Sequence, residues 1–279
     1  MTEPLIGKTA LVCGASQGIG LACARAIAQD GARVVITGRR EGLLAKAREQ
    51  LLAEVPGARI ESFVADGTDE SQVKAALAYA HGLGKRLDII VSVVGEPVFK
   101  PLLMREVDDV RRELDVNFIT GFLAVRHGVP LMARGGSIVC VSSAAALQAN
   151  WGLSIYASAK AALERFVRAA AFELSGAGIR VNAVRPGATL DPVRASDPAF
   201  SGMAAAFVAV TPMGRLGHPD DVARVVRFLA GPESGWVTGE TVSADGGLAQ
   251  KSGPDFMDSM FGHEVMAAIR AGRPIDPAG

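Results

Sequence analysis

The chain is poor in several things at once. Of its 279 residues only three are cysteine, two tyrosine and two tryptophan, and its formal charge is zero because 29 Lys and Arg meet 29 Asp and Glu. Zero net charge removes the basic field by which proteins gather nucleic acid, and the doublets Arg39-Arg40 and Arg111-Arg112 are too short to replace it. No predominantly apolar stretch reaches the roughly 18 residues needed to span a bilayer, and no apolar run follows the charges of MTEPLIGK. The expectation is a cytoplasmic protein with neither membrane nor nucleic-acid partners. Cys13, Cys23 and Cys140 have apolar neighbours and no metal or redox spacing, which predicts reduced core thiols and no metal site.

What the chain has in quantity is aliphatic residues and 32 glycines, enough for one substantial core. Short β-branched runs recur at 9–14, 32–38, 59–66, 87–95, 136–143, 179–187 and 240–247. Most lack polar alternation, as strands covered on both faces do. Helical patterning fills 19–29, 42–54, 70–80, 107–132, 155–174 and 220–229, with Thr68 or Asp69 able to cap the third and Pro219 suited to the first turn of the last. This alternation predicts an α/β fold: a single doubly wound domain over residues 1–249, with a mostly seven-stranded parallel sheet and helices on both faces. Residues 189–217, rich in Pro and Ala, read as a loop with one or two short helices, and a substrate loop is expected at about 188–217. Residues 250–279 form an extension in which Phe256, Met260, Val265 and Ile269 approximate one helical stripe despite Gly262. It is expected to pack on the domain or on a neighbouring subunit.

Two motifs carry chemistry. The first strand runs into Gly14-Ala-Ser-Gln-Gly18-Ile-Gly20 and then a helix, where glycine permits a tight turn and backbone N–H groups at the helix start can meet a pyrophosphate. The second strand ends at Gly38-Arg39-Arg40, without the carboxylate that an NAD site offers the adenosine ribose. Two guanidinium groups there favour a 2′-phosphate, hence NADP(H), with NAD(H) as the lesser possibility; the plainer reading is a solvated helix start. The stretch SIYASAK then places Tyr156 and Lys160 one helical turn apart on one face. Such a pair is common on solvated helices, and its partners decide its meaning. A free phenol titrates near about 10, so an adjacent ammonium would favour the phenolate.

Read with Ser143, these residues resemble the short-chain dehydrogenase/reductase family in its ordinary-length branch, over about residues 6–248. Asn117 in LDVNFITG, Pro186-Gly187 and the late segments PMGRLGHPDDVARVVRFLAG and VTGETVSADGG match in order. The resemblance implies a Rossmann-type fold and an oxidoreductase that interconverts a ketone or aldehyde and a secondary alcohol. It implies Asn117, Ser143, Tyr156 and Lys160 as catalytic residues: Tyr156 moves the proton, Lys160 also binds the nicotinamide ribose, Ser143 orients the substrate oxygen, and Asn117 holds a water that links Lys160 to solvent. Cofactor contacts are implied for Gly14, Ser16, Gln17, Gly18, Ile19 and Gly20 at the phosphates, for Arg39, Arg40, Asp66 and Gly67 towards the adenosine, and for Gly95, Pro186, Gly187 and Thr189 besides Tyr156 and Lys160. It also implies a homo-oligomer, commonly a tetramer that pairs the two long helices.

The chain departs from the family in four places. Ser92-Val93-Val94-Gly95 replaces Asn-Asn-Ala-Gly, Cys13 replaces a threonine, Gly67 replaces a larger apolar residue, and Asp191 stands where a threonine is common, which affects the contacts expected of Thr189. For the substrate, Glu96, Trp151, Leu190 and Phe207 are the leading pocket residues, with Val98, Phe99, Leu147, Leu153, Phe200 and Met203 beside them. The mainly apolar set suggests a hydrophobic small-molecule carbonyl. No basic landing patch for an acyl-carrier-protein thioester is evident. Two alternatives stand beside this reading: an NAD-dependent alcohol dehydrogenase of a catabolic pathway, and a non-catalytic nucleotide-binding regulatory protein of the same fold.

Overall fold

The computed structural model describes residues 4–190, 197–250 and 257–274. Seven strands, β1 (Thr9–Cys13), β2 (Arg33–Gly38), β3 (Arg59–Val64), β4 (Leu87–Ser92), β5 (Met132–Val141), β6 (Arg180–Pro186) and β7 (Thr241–Ala244), pair in the order β3-β2-β1-β4-β5-β6-β7, every pair parallel. β1 is buried along its whole length, so its run TALVC has no polar alternation. The order reverses between β1 and β4. Above the carboxyl ends of those strands a doubly wound sheet leaves its crevice.

One face of the sheet is covered by α1 (Gly18–Gln29), α2 (Glu41–Glu54) and a helix at Pro219–Ala230, and the other by α3 (Glu70–Gly84), a broken helix described next, and the helix Ser154–Leu174 that carries Tyr156 and Lys160. Asp69 caps α3 through Ser71 N–H at 2.8 Å and Gln72 N–H at 3.0 Å, so of the two candidates it is the cap. Pro219 occupies the first turn of its helix, as its missing N–H allows.

The continuous helix expected over 107–132 is in fact composite. It runs as α4 (Val107–Leu114), a π turn at Asp115–Ile119, α5 (Thr120–Gly128) and a 3₁₀ turn at Val129–Leu131, and β5 begins already at Met132. The π turn inserts an extra residue around Asn117, and Pro130, which has no N–H, closes the helix. In the insertion, the described part is a 13-residue helix, Pro198–Val210, longer than the short helices expected, and a parallel bridge between Thr189 and Gly217 draws its base together. Asp191 lies outside the described residues.

Residues 1–249 form one compact unit and 250–279 a second. The single stripe expected in the second is interrupted: Gly262 takes φ +82° and separates helices Met257–Phe261 and His263–Arg270, while Phe256 lies outside the described residues. No helix among the described residues is long and apolar enough to cross a membrane. The three cysteines are free and buried; burial pushes the Cys13 thiol up to about 11 and Cys140 to about 12, and raises Cys23 further.

Candidate active site

The site sits over the switch point, built from strand ends and the starts of two helices. Gly14 leaves β1 at φ +80°, and α1 begins without a side-chain cap, so its first N–H groups are open to a ligand. A Cβ on Gly20 would lie 2.9 Å from the Ala15 Cα and closer still to the Gly14 carbonyl, so only glycine lets α1 pack against its own turn. A Cβ on Gly18 would meet nothing within 4 Å, which leaves that side of the turn clear. This cradle fits a dinucleotide pyrophosphate, with Gly14, Ser16, Gln17, Gly18, Ile19 and Gly20 the residues that would hold it.

Two departures from the family pattern compensate each other. A Cβ on Gly67 would come 3.2 Å from Val94 Cγ2, and one on Gly14 would also meet Val94 Cγ2 at 3.2 Å. The larger Val94 thus occupies the volume that a side chain at 67 would need. Where a side-chain amide ties neighbouring strands in relatives, the Val93 N–H donates to the Cys13 carbonyl at 3.1 Å, so the main chain makes the tie. Cys13 hydrogen-bonds Thr37 and belongs to the core. Asp66 accepts from Thr68 N–H at 2.9 Å and Thr68 Oγ1 at 2.8 Å, which shapes the turn after β3.

Helix α6 (Ser154–Leu174) places Tyr156 and Lys160 as their spacing predicts, with Lys160 Nζ 5.9 Å from the Tyr156 ring centroid. Ser143, just beyond β5, accepts from Ala145 N–H at 3.2 Å and shares a hydrogen bond with the Tyr156 hydroxyl. Lys160 is 2% exposed and donates to the Val141 carbonyl at 3.0 Å; burial lowers it from 10.5 to about 8. Asn117, buried on the π turn, donates to the carbonyls of Glu113 at 3.0 Å and Glu96 at 3.2 Å and accepts from Glu96 N–H at 3.0 Å. Gly95 lies where the group converges: a Cβ there would be 2.6 Å from Lys160 Nζ and 2.8 Å from Asn117 Oδ1. Ser143, Tyr156, Lys160, Asn117 and Gly95, drawn from β5, α6, the π turn and the β4 loop, thus meet at one place.

One electrostatic expectation is overturned. Lys160 does not pull the Tyr156 phenol down in the protein alone. Burial raises the phenol, opposed by its hydrogen bond to Ser143, while the Lys160 ammonium is turned to the Val141 carbonyl. Tyr156 therefore stands as a neutral acid.

Glu96 follows Gly95 and is exposed. Its carboxylate is 3.9 Å from Arg39 Nη2, and both residues border a cavity of about 390 Å³ that Arg111 and Arg112 also line. Arg39 is exposed at the end of β2, and Arg40 is the residue before α2. Pro186 ends β6, and the Gly187 N–H donates to the Ala244 carbonyl at 3.2 Å. Thr189 Oγ1 donates to the Gly187 carbonyl at 3.0 Å. Trp151 is fully exposed, Leu190 and Phe207 are half-buried, and Leu153 is buried beside the start of α6.

The sequence reading missed the brace behind the pair. Glu164, one turn beyond Lys160, accepts from Ser142 Oγ at 2.6 Å and from Arg185 Nε at 2.9 Å and Nη2 at 2.5 Å, and Arg185 Nη1 donates to Ser243 Oγ at 2.8 Å. This network pins α6 to the ends of β5, β6 and β7. The available signal was the four-residue spacing Tyr156, Lys160, Glu164.

Comparisons with known proteins agree with this fold. A family model described as enoyl-(acyl carrier protein) reductase matches residues 14–249. The chain is 35% identical over 249 residues to the 3-oxoacyl-(acyl-carrier-protein) reductase FabG of Thermotoga maritima, covering 88% of this chain and 98% of that one. It is 36% identical over 251 residues to cis-4-hydroxycyclohexanecarboxylate dehydrogenase of Sinomonas cyclohexanicum, with the same coverage, 88% and 98%. A solved structure of a blue fluorescent protein from a metagenomic library, in complex with NADPH, superposes with a TM-score of 0.81 at 32% identity, over 88% of this chain and 99% of the other.

Proposed function

The chain belongs to the short-chain dehydrogenase/reductase family, an oxidoreductase acting on CH–OH donors, and from that premise we propose that it interconverts a ketone and a secondary alcohol on a mainly hydrophobic small molecule, with NADP(H) preferred. The observation that carries the reading is the convergence of Tyr156, Ser143, Lys160 and Asn117 around Gly95. Bound NADP(H) supplies or accepts the hydride. Ser143 holds the substrate oxygen beside the Tyr156 hydroxyl, and in reduction Tyr156 gives its proton to that oxygen. A neutral, buried phenol suits this direction. Lys160 binds the nicotinamide ribose, and Asn117 holds a water that links Lys160 to solvent. The named relatives act on unlike molecules. The apolar residues Phe99, Leu147, Trp151, Leu190 and Phe207 support a hydrophobic, cyclic or aromatic carbonyl, and the cyclohexane-ring substrate in one relative's name is in keeping with it.

A screen of carbonyl compounds and alcohols with NADPH, NADH and their oxidised forms tests the whole reading; absence of turnover across a broad panel removes it. Rising pH should report Lys160. Its cation is present below about 8 and is lost above it, whereas burial moves the Tyr156 phenol up from its ordinary value, away from that range. We expect kcat/KM for reduction to be level at neutral pH and to fall through a single deprotonation near 8, since that ratio titrates the free enzyme's groups. A level profile to pH 10 would take the Lys160 charge out of the mechanism.

Arg39 supplies the cofactor test. A charge-assisted hydrogen bond contributes about 1.5–3 kcal/mol, so Arg39→Ala should weaken NADPH binding by about 10- to 100-fold and NADH by less than about twofold. Equal losses for the two would refute the 2′-phosphate assignment. The Glu96 carboxylate beside Arg39 favours the second reading, use of NAD(H), because it already meets part of the charge that a 2′-phosphate would meet.

A further inference from the structure

Arg105 matches none of the motifs above, yet its side chain is only 2% exposed. It follows the single turn Leu102–Met104, where most neighbours are in solvent. Its guanidinium makes four hydrogen bonds. Nε donates to the Lys100 carbonyl at 3.0 Å, Nη2 donates to the carbonyls of Val98 at 2.6 Å and Gly152 at 2.9 Å, and Nη1 pairs with the Glu113 carboxylate, equally buried. A planar fork with five N–H groups is suited to holding several acceptors in fixed directions, and lysine cannot reproduce it.

Buried ion pairs add little to net stability compared with apolar packing, although breaking one is costly. This pair is not optimised for itself either, since Glu113 Oε2 is buried without a hydrogen-bond partner. What it arranges is more telling. The three carbonyls belong to two separate loops: residues 93–101 after β4, which start at the catalytic cluster, and residues 147–153 before α6, which end three residues short of Tyr156. The Lys100 N–H donates to the same Gly152 carbonyl at 3.0 Å, and Gly152, at φ +74°, lies so near that a Cβ would be 3.3 Å from Lys100 N. On the other side the knot runs through Glu113 into the main-chain carbonyl that Asn117 binds.

The joined loops and the adjoining turn Leu102–Met104 carry Phe99, Leu102, Leu103, Met104, Leu147 and Trp151, all exposed, with Leu103 at 99% and Trp151 at 98%. Groups this exposed have no burial energy of their own to order them. Their order must come from the polar knot beneath.

We infer that Arg105 is a positioning residue that locks the two loops into one apolar lip beside the catalytic helix and so sets affinity for bulky hydrophobic substrates. The inference rests on the oxidoreductase reading above. Its test uses the full chain as wild type, Arg105→Lys and Glu113→Gln, each checked by thermal melting. Each is assayed with NADPH and two carbonyl probes, a fused-ring aryl ketone and cyclohexanone, alongside NADPH titration and hydrogen exchange of the Lys100 amide. For Arg105→Lys, with several charge-assisted bonds lost, KM for the aryl ketone should rise about tenfold or more, kcat and NADPH affinity should stay within about twofold, and Lys100 should exchange about tenfold faster. KM for cyclohexanone, too small to reach the lip, should hardly move. Glu113→Gln, which keeps a neutral hydrogen bond, should show the same pattern at about threefold.

An unchanged KM, or parallel losses with both ketones and with NADPH, overturns the inference, the latter by showing general damage. If the wild type reduces neither ketone, the functional reading fails first and exchange judges the lip: Lys100 still protected in Arg105→Lys refutes it, and lost protection upholds the lock.

Discussion

Replacing Tyr156 with phenylalanine should abolish turnover while leaving the fold and NADPH binding as they are. The substitution keeps the ring, and with it the packing against α6 and the approach of Lys160 Nζ to the ring face, 5.9 Å from its centroid. It deletes the hydroxyl that shares a hydrogen bond with Ser143 and that the proposed chemistry uses to protonate the substrate oxygen. Proton transfer by a placed side chain contributes about 10²–10⁴-fold, and among the described residues nearby no other side chain is placed to take the role. The Ser143 hydroxyl is an aliphatic alcohol, a far weaker acid than a phenol, and the Lys160 ammonium is directed to the Val141 carbonyl. Single-turnover reduction monitored through NADPH absorbance, with titration of cofactor binding, reads both halves. Turnover within a few fold of wild type would take Tyr156 out of the chemistry; lost NADPH binding would show that the phenol acts chiefly in cofactor recognition.

Gly20→Ala should be nearly as damaging at the other end of the site. The new methyl would press on the Gly14 carbonyl and sit 2.9 Å from the Ala15 Cα, both backbone, so no side-chain rotation relieves it. Helix α1 must shift away from β1. Overpacking of this kind costs about 1–3 kcal/mol, and the shift spoils the turn that is to hold the pyrophosphate, so NADPH affinity should fall by about 100-fold or more together with a lower melting temperature. Gly18→Ala is the contrasting case: φ +59° strains an alanine by about 1 kcal/mol, but its Cβ meets open space. Affinities that fall equally in the two variants would mean that backbone conformation, and not the approach of α1 to its turn, governs the cradle.

The alternation of buried apolar runs with 3.6-residue patterns was legible because the central strands are covered on both faces and the helices packed on them on one, so local sequence records the solvent each residue will meet. The Gly14 turn and the Tyr156–Lys160 spacing were legible for the same reason: both are short-range geometry. The break in the long helix at Asn117 left no such trace, since one extra residue in a helical turn leaves the apolar period almost unchanged. The sequence likewise shows the small residue at 67 and the large one at 94 as separate departures, and their compensation is visible only where β4 passes the turn after β3.

The sequence by itself determined the layered fold, the cofactor-type turn and the reactive pair, because these depend on periodicity and on residues a turn or less apart. Only the tertiary structure decided that Glu96 faces Arg39, that burial rather than Lys160 governs the Tyr156 phenol, and that Arg105 joins two loops. Each of these is a contact between residues distant in the chain, or a balance of desolvation against charge, and both are properties of the packed interior.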